Sequence, residues 1–166
     1  DIAVGGSGLG GSLLAAIAQR LGRSVVLIEK GKHPRFAMGE SSTPLSNLLL
    51  EEMTARYDLP LLAPLSKWGT LRRAYPEMVC GLKRGFTFYH HPFDRFRDPH
   101  RENELLVAAS PVDEIADTHW YRADFDSLFL KQAVAAGVTY VDETTLNRVS
   151  CGAGKSRIEG TRHNQQ

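Results

Sequence analysis

Three sets of residues have types and spacings suited to chemistry. The first is Gly6-x-Gly8-x-x-Gly11, with Ser7 and Leu9 filling the turn, set between the apolar run Ile2-Ala3-Val4 and a helical pattern. In that spacing the first glycine permits a tight turn and the second lets a pyrophosphate approach the backbone. The third lets the helix pack closely on the strand. The helix start offers unpaired N–H groups and a positive dipole end to phosphate oxygens. Glu29 closes the run Ser24-Val25-Val26-Leu27-Ile28, twenty-three residues beyond Gly6. There it is placed to accept hydrogen bonds from an adenosine ribose. An acid at that point disfavours the 2′-phosphate of NADP and leaves NAD and FAD both open.

The second set is Lys83, with Phe86 and Phe88 following it. On a strand bearing those rings the lysine stem lies in an apolar pocket and its amine is desolvated. Arg84 beside it pushes the amine toward neutrality as well. An exposed Lys-Arg pair at a strand start is the alternative. The third set is histidine. His90, His91, His100 and His119 fit no standard ligand spacing, so no metal is expected. Arg72, Arg73, Lys83, Arg84, Arg95, Arg97 and Arg101 are interleaved with aromatics, but Glu77, Asp94 and Asp98 dilute the patch. It reads as solvated loop, and no nucleic-acid partner is expected.

The elements that must position these groups follow from periodicity. Leu13, Leu14, Ile17, Ala18 and Leu21 recur at helical spacing, and Gly22 is a natural stop. Strand, helix and strand within some thirty residues make a βαβ unit on a parallel sheet. Pro44 opens a second helix, with Leu45, Leu48, Leu49 and Met53 as its expected inner face. Pro60, Pro64 and Gly69 punctuate a loop-rich connection. Residues 82–91 read as one strand, Pro92 to Arg101 as exposed loop, and 105–109 as another strand. Phe125, Leu128, Phe129, Ala133 and Ala136 form a helical stripe ended by Gly137. Val138 to Val141 is a strand, and 146–151 with 157–161 make a hairpin around Gly152-Ala153-Gly154-Lys155. The last five residues are expected to fray.

Composition bounds the rest. At 166 residues, 42% hydrophobic and 23% charged, the chain has material for one globular domain. A formal net charge of +1 demands neither a nucleic acid nor a membrane surface. No apolar run reaches the ~18–20 residues of a membrane span. Cys80 and Cys151 make no disulfide framework and read as reduced core thiols, so a cytoplasmic location is expected. Asp1 leads straight into a strand pattern with no apolar leader, so the chain reads as trimmed at the front and as carrying no secretion signal.

The stretch Lys30-Gly31-Lys32-His33-Pro34-Arg35-Phe36-Ala37-Met38-Gly39-Glu40-Ser41-Ser42-Thr43-Pro44 resembles the flavin-dependent halogenases and their monooxygenase-like relatives. So do Lys83-Arg84-Gly85-Phe86, matching a Lys-x-Gly-x-x-Phe pattern through Phe88, and Arg122-Ala123-Asp124-Phe125-Asp126, matching Arg-x-x-Phe-Asp. The ordered series is specific; the last element alone is not.

The resemblance implies an α/β fold, a Rossmann-like FAD-binding domain of the hydroxybenzoate-hydroxylase type. Residues 1–37 then supply the adenosine half of the site, including Lys30 and Arg35. Residues 38–120 form an inserted region facing flavin and substrate, with Glu40, Ser41 and Ser42 beside the flavin ring. Residues 121–166 return as helix, strand and hairpin, and Arg122 helps close the cleft. Arg122 is equally a helix-end surface partner of Asp124 or Asp126, and Glu40 and Ser41 are equally helix N-cap residues. The implied activity uses reduced FAD from a separate flavin reductase, oxygen and an electron-rich small molecule, with Lys83 delivering hypohalous acid if the enzyme halogenates. The family's downstream Gly-Asp and Trp-x-Trp-x-Ile-Pro segments do not occur in these residues. The chain therefore reads as the N-terminal portion of such an enzyme, or else as a truncated dinucleotide-binding module without turnover.

Overall fold

A computed structural model of the chain describes residues 1–91, 93, 103–108 and 110–163. In chain order the elements begin with β1 (Ile2–Gly5), α1 (Leu9–Arg20), β2 (Val25–Ile28), α2 (Pro44–Arg56) and α3 (Trp68–Ala74). They continue with β3 (Cys80–Lys83), β4 (Gly85–Tyr89), β5 (Glu104–Ala108), β6 (Asp117–Trp120) and α4 (Arg122–Ala135). The last three are β7 (Thr139–Val141), β8 (Thr144–Gly152) and β9 (Lys155–Arg162).

β1, β2 and β7 form a parallel sheet in that order, with Ile2 opposite Val25 and Val26 opposite Thr139. Helices α1 and α4 lie against each other beside it. Ala15 and Ala16 are fully buried on α1, and these small side chains let α4 bring Phe125, Phe129 and Ala133 into the same core. Trp120 stacks on Phe125 at 4.3 Å, and Phe125 meets Phe129 at 5.0 Å. These contacts fix the start of α4, and with it Arg122, against the glycine turn.

Three expectations are corrected by packing. Leu45, Leu48 and Leu49 of α2 are exposed, and Asn47, Leu50 and Thr54 turn inward instead. Thr43 sets that phase: the Ser46 N–H donates to Thr43 Oγ1 at 3.1 Å and the Thr43 N–H donates to Ser46 Oγ at 2.8 Å, a reciprocal cap with Pro44 as the first helical residue. The strand read over 82–91 is two strands broken at Arg84, β3 pairing with β6 and β4 with β5. The connection around Pro60 to Gly69 contains a short 3-10 turn, Ala63–Ser66, and α3, which periodicity over so few residues does not reveal.

Smaller departures follow the same logic. Arg162 ends β9 opposite Thr144 rather than fraying, whereas 164–166 lie outside the described residues. Cys80 is half-buried against the core, but Cys151 is exposed on the β8–β9 hairpin; both are free thiols. The loop read over Pro92 to Arg101, with Asp94, Arg95, Arg97, Asp98, His100 and Arg101, lies outside the described residues except for Phe93. Among the described residues no helix is long and apolar enough to cross a membrane.

Candidate functional site

The glycine turn is shaped by backbone that only glycine supplies. Gly6 has φ +95°, and its N–H donates to the Ile28 carbonyl at 2.7 Å, tying the turn to β2. A Cβ on Gly11 would overlap the Gly6 carbonyl oxygen, so the start of α1 sits directly on the turn. Gly8 faces outward from this joint. A Cβ there would lie 3.5 Å from Arg35 Nη2 and from Asp126 Oδ2, and 3.6 Å from Arg122 Nη2. The open face of the turn is therefore flanked by two guanidinium groups and by the Asp126 carboxylate.

Two of the turn's amides are held by carboxylates. The Ser7 N–H donates to Glu29 Oε2 at 2.8 Å, and the Leu9 N–H donates to Asp126 Oδ1 at 3.2 Å. In the first turn of α1 the Gly10 and Gly11 N–H groups have no intrahelical acceptor, as helix geometry requires. Arg122 clasps Asp126 with both ends of its fork, Nε to Oδ1 at 2.7 Å and Nη2 to Oδ2 at 2.8 Å. The surface-pair reading of Arg122 names the right partner in the wrong environment, since Asp126 is fully buried. Asp124 instead accepts from the Val79 N–H at 3.3 Å.

Glu29 is buried, accepting also from Ser7 Oγ at 3.1 Å, from the Gly31 N–H at 3.0 Å and from Arg35 Nη2 at 3.3 Å. Burial opposes its charge, but the Ser7 and Gly31 amides and the Arg35 guanidinium outweigh burial and lower its pKa to about 2. Oε1 takes a single bond, which leaves acceptor capacity at the cleft that Glu29 lines. That cleft, about 640 Å³, is bordered by Gly6, Glu29, Lys30, Gly31, Arg35 and Thr144 among others. Lys30 is exposed at its edge. His33 is a neighbour of the turn that sequence reading missed: its Nε2 lies 2.8 Å from Ser7 Oγ, and burial together with Arg35 lowers its pKa.

A pH dependence follows. Glu29 has its folded pKa depressed, so its contribution to stability is complete above the ordinary value of 4.5 and is lost as pH falls toward about 2. Thermal melts of the parent between these limits are expected to fall with pH more steeply than those of Glu29→Gln. Equal slopes would show that Glu29 is not the group being titrated.

From the turn, residues 38–42 run as a strap toward Lys83. Arg122 Nη1 donates to the Met38 carbonyl at 2.9 Å and to the Gly39 carbonyl at 3.3 Å. The Trp120 N–H donates to the Glu40 carbonyl at 2.7 Å, and Ser41 bridges to His119. Glu40 and Ser41 thus run beside β6, Ser41 in a single bridge to His119, and are not helix caps, a role that falls to Thr43. Ser42 is fixed twice: its N–H donates to the Thr118 carbonyl at 2.9 Å, and its Oγ accepts from the Thr118 N–H at 2.8 Å.

Lys83 stands at the far end of this strap, paired in register with Asp117 across β3 and β6. Its side chain is buried, Nζ donates to the Ser42 carbonyl, and Nζ lies 3.6 Å from the centre of the Phe86 ring. Burial lowers its pKa, and the charge of Asp117 works against that shift. Arg84 does not contribute as expected: its guanidinium turns to the surface and pairs with Asp113 at 2.6 Å. Phe86 and Phe88 do share a face and stack at 5.9 Å. Among the described residues no three His, Cys, Asp or Glu side chains cluster to hold a metal ion. His100 lies outside the described residues.

The chain is similar to known proteins over most of its length. Residues 4–59 match the model of the NAD(P)-binding Rossmann-like domain. The chain is 31% identical over 146 residues to the monodechloroaminopyrrolnitrin halogenase PrnC of Pseudomonas fluorescens, covering 88% of this chain and 25% of that protein. It is 31% identical over 137 residues to the tetracycline 7-halogenase of Kitasatospora aureofaciens, covering 82% and 24%. It superposes on the crystal structure of halogenase PltM in complex with phloroglucinol and FAD with a TM-score of 0.81 and 26% identity. That likeness spans 99% of this chain and 32% of PltM. The chain has the fold of the FAD-dependent halogenases.

Within this halogenase fold the Rossmann-like match takes in the glycine turn, Glu29, Arg35 and the strap, while Lys83 and Arg122 lie beyond it. The chain spans about a quarter of the curated halogenases and about a third of PltM.

Proposed function

We propose that this chain is part of an FAD-dependent halogenase acting on an electron-rich small molecule. The observation that carries the reading is the joint placement of an open Gly8 face between Arg35 and Arg122 and a buried lysine at the other end of one strap. Gly6 to Gly11, Arg35 and Arg122 would hold the pyrophosphate, and Glu29 and Lys30 the adenosine ribose. The strap of Glu40, Ser41 and Ser42 would line the flavin ring. In this division residues 1–37 serve the adenosine, 38–120 the ring and substrate, and 121–166 return as helix, strand and hairpin, bringing Arg122 to the pyrophosphate.

When bound and reduced, FAD supplies with oxygen the oxidising power that converts halide to hypohalous acid. The chain's own part is position and field. The two guanidinium groups, each also paired with a carboxylate, and the start of α1 would donate hydrogen bonds to the diphosphate. The strap fixes the distance between cofactor and Lys83, whose amine donates a hydrogen bond to the hypohalous oxygen and aims the halogen at the substrate carbon. The reduced cofactor comes from a separate reductase, which makes hydroxylation of the same substrates the competing outcome.

The test is a full-length enzyme supplied with NADH, a flavin reductase, oxygen and chloride or bromide, with products analysed by mass. Halide-dependent products carrying the halogen isotope pattern are expected. Hydroxylated products with no halide dependence would move the assignment to a monooxygenase. Flavin binding without any product would leave a dinucleotide-binding module.

A further inference from the structure

Lys83 lies among groups that its role as hydrogen-bond donor does not use. Asp117, opposite it on β6, is buried, and its Oδ1 accepts from Asn47 Nδ2 at 2.7 Å. Asn47 is itself buried on α2, seventy residues away in sequence. The second oxygen, Asp117 Oδ2, is buried without a hydrogen-bond partner. A buried carboxylate left half-satisfied is costly unless a nearby cation compensates it. Among the described residues, the other charges on the neighbouring elements are engaged or turned away. Arg84 pairs with Asp113 at 2.6 Å, Glu51 of α2 pairs with Lys67 at 2.6 Å, and Glu40 and His119 are exposed. Ser42 and Phe86, which face Nζ, are neutral.

We propose that Asp117, oriented by Asn47, is the counter-charge that keeps Lys83 an ammonium against the Ser42 carbonyl, so that Lys83 works as a charged hydrogen-bond donor and not as a free amine that forms a haloamine. The inference rests on the reading of Lys83 as the halogen-delivering residue and decides between its two chemical modes. Three features of the geometry favour the charged form. A carbonyl accepts from Nζ, an aromatic face lies 3.6 Å from it, and a carboxylate stands opposite. Burial acts the other way and outweighs the Asp117 charge, so the Lys83 pKa lies below its ordinary value, and without Asp117 it would lie lower still. Asp117 and Asn47 are positioning residues, since neither touches the reacting atoms.

Isotope-labelled lysine in the full-length enzyme gives a direct reading, with the Lys83 amine assigned by its absence in Lys83→Met. The parent is expected to show an ammonium at neutral pH; a neutral amine there overturns the proposal. Asp117→Asn is expected to move the Lys83 titration to lower pH. Halogenated product at neutral pH is expected to fall by about 10–100-fold, the scale of weakening one charged donor. Because the ammonium returns as pH falls, product is expected to recover toward acid in this variant. A Lys83 titration unmoved in folded Asp117→Asn also overturns the proposal. Should that variant not fold, Asn47→Ala, which retains the carboxylate but frees it, is expected to move the titration in the same direction by less, and an unmoved titration there counts against the proposal. Loss of the underlying reading appears separately, as product that survives in Lys83→Met.

Discussion

Gly11→Ala is expected to cost the chain about 3 kcal/mol or more of stability, while Gly8→Val folds and binds FAD more weakly. The two glycines belong to one motif but do different work. At Gly11 an added Cβ meets the Gly6 carbonyl, which is backbone and is tied to β2 through the Gly6 N–H. Relief requires moving the turn off the helix, which undoes the joint between β1 and α1. At Gly8 the φ of −69° suits any residue, and a Cβ makes ordinary contact with ends of Arg35, Arg122 and Asp126. The loss there falls on the ligand. Side-chain carbon would occupy the face where a diphosphate meets both guanidinium groups, and forfeiting one charge-assisted contact costs about 1.5–3 kcal/mol, or roughly 10–100-fold in affinity. Melting curves and flavin titration of both variants separate the effects. Unchanged FAD affinity in folded Gly8→Val would refute the phosphate site.

This asymmetry also shows what the sequence makes legible. The βαβ unit was readable because its determinants are local: a positive φ at Gly6, a close approach at Gly11, and an acid closing the next strand. Lys83 was readable as a buried amine because Phe86 follows it at short range. The inward face of α2 was not. Leucines outnumber the alternatives on Leu45, Leu48 and Leu49, but the phase is set by the Thr43 cap and by Asn47 meeting Asp117 on another element. Asp126 was read only as a surface partner. Its burial depends on reaching Leu9, 117 residues earlier, a contact that no spacing encodes. Arg84 misleads for a similar reason: adjacency in sequence suggests a shared pocket, but Arg84 sits at the break between β3 and β4 and turns toward Asp113.

Lys83→Met in the full-length enzyme is expected to lower halogenated product at least ~100-fold, the scale of removing a preorganised donor from a water-excluded site. Methionine keeps an unbranched apolar stem in the same space, so the change removes the amine with little change in volume. It also strands Asp117 without a cation, but burial already raises the Asp117 pKa, and the carboxyl relieves the loss by taking up a proton. The fold is therefore expected to survive, and Ser42 is held in place by Thr118 through its N–H and its Oγ. The glycine turn, Glu29 and Arg122 make no contact with Nζ, so flavin binding and NADH-driven oxygen consumption are expected to continue, with hypohalous acid escaping to solution. A trap for free hypohalite, such as a dye bleached by it, would register that leakage while the phenol, pyrrole or indole in the assay stays unmodified. Product formed at the parent rate would reduce Lys83 to a peg joining β3 to the strap, and halogen delivery would have to be sought elsewhere in the enzyme.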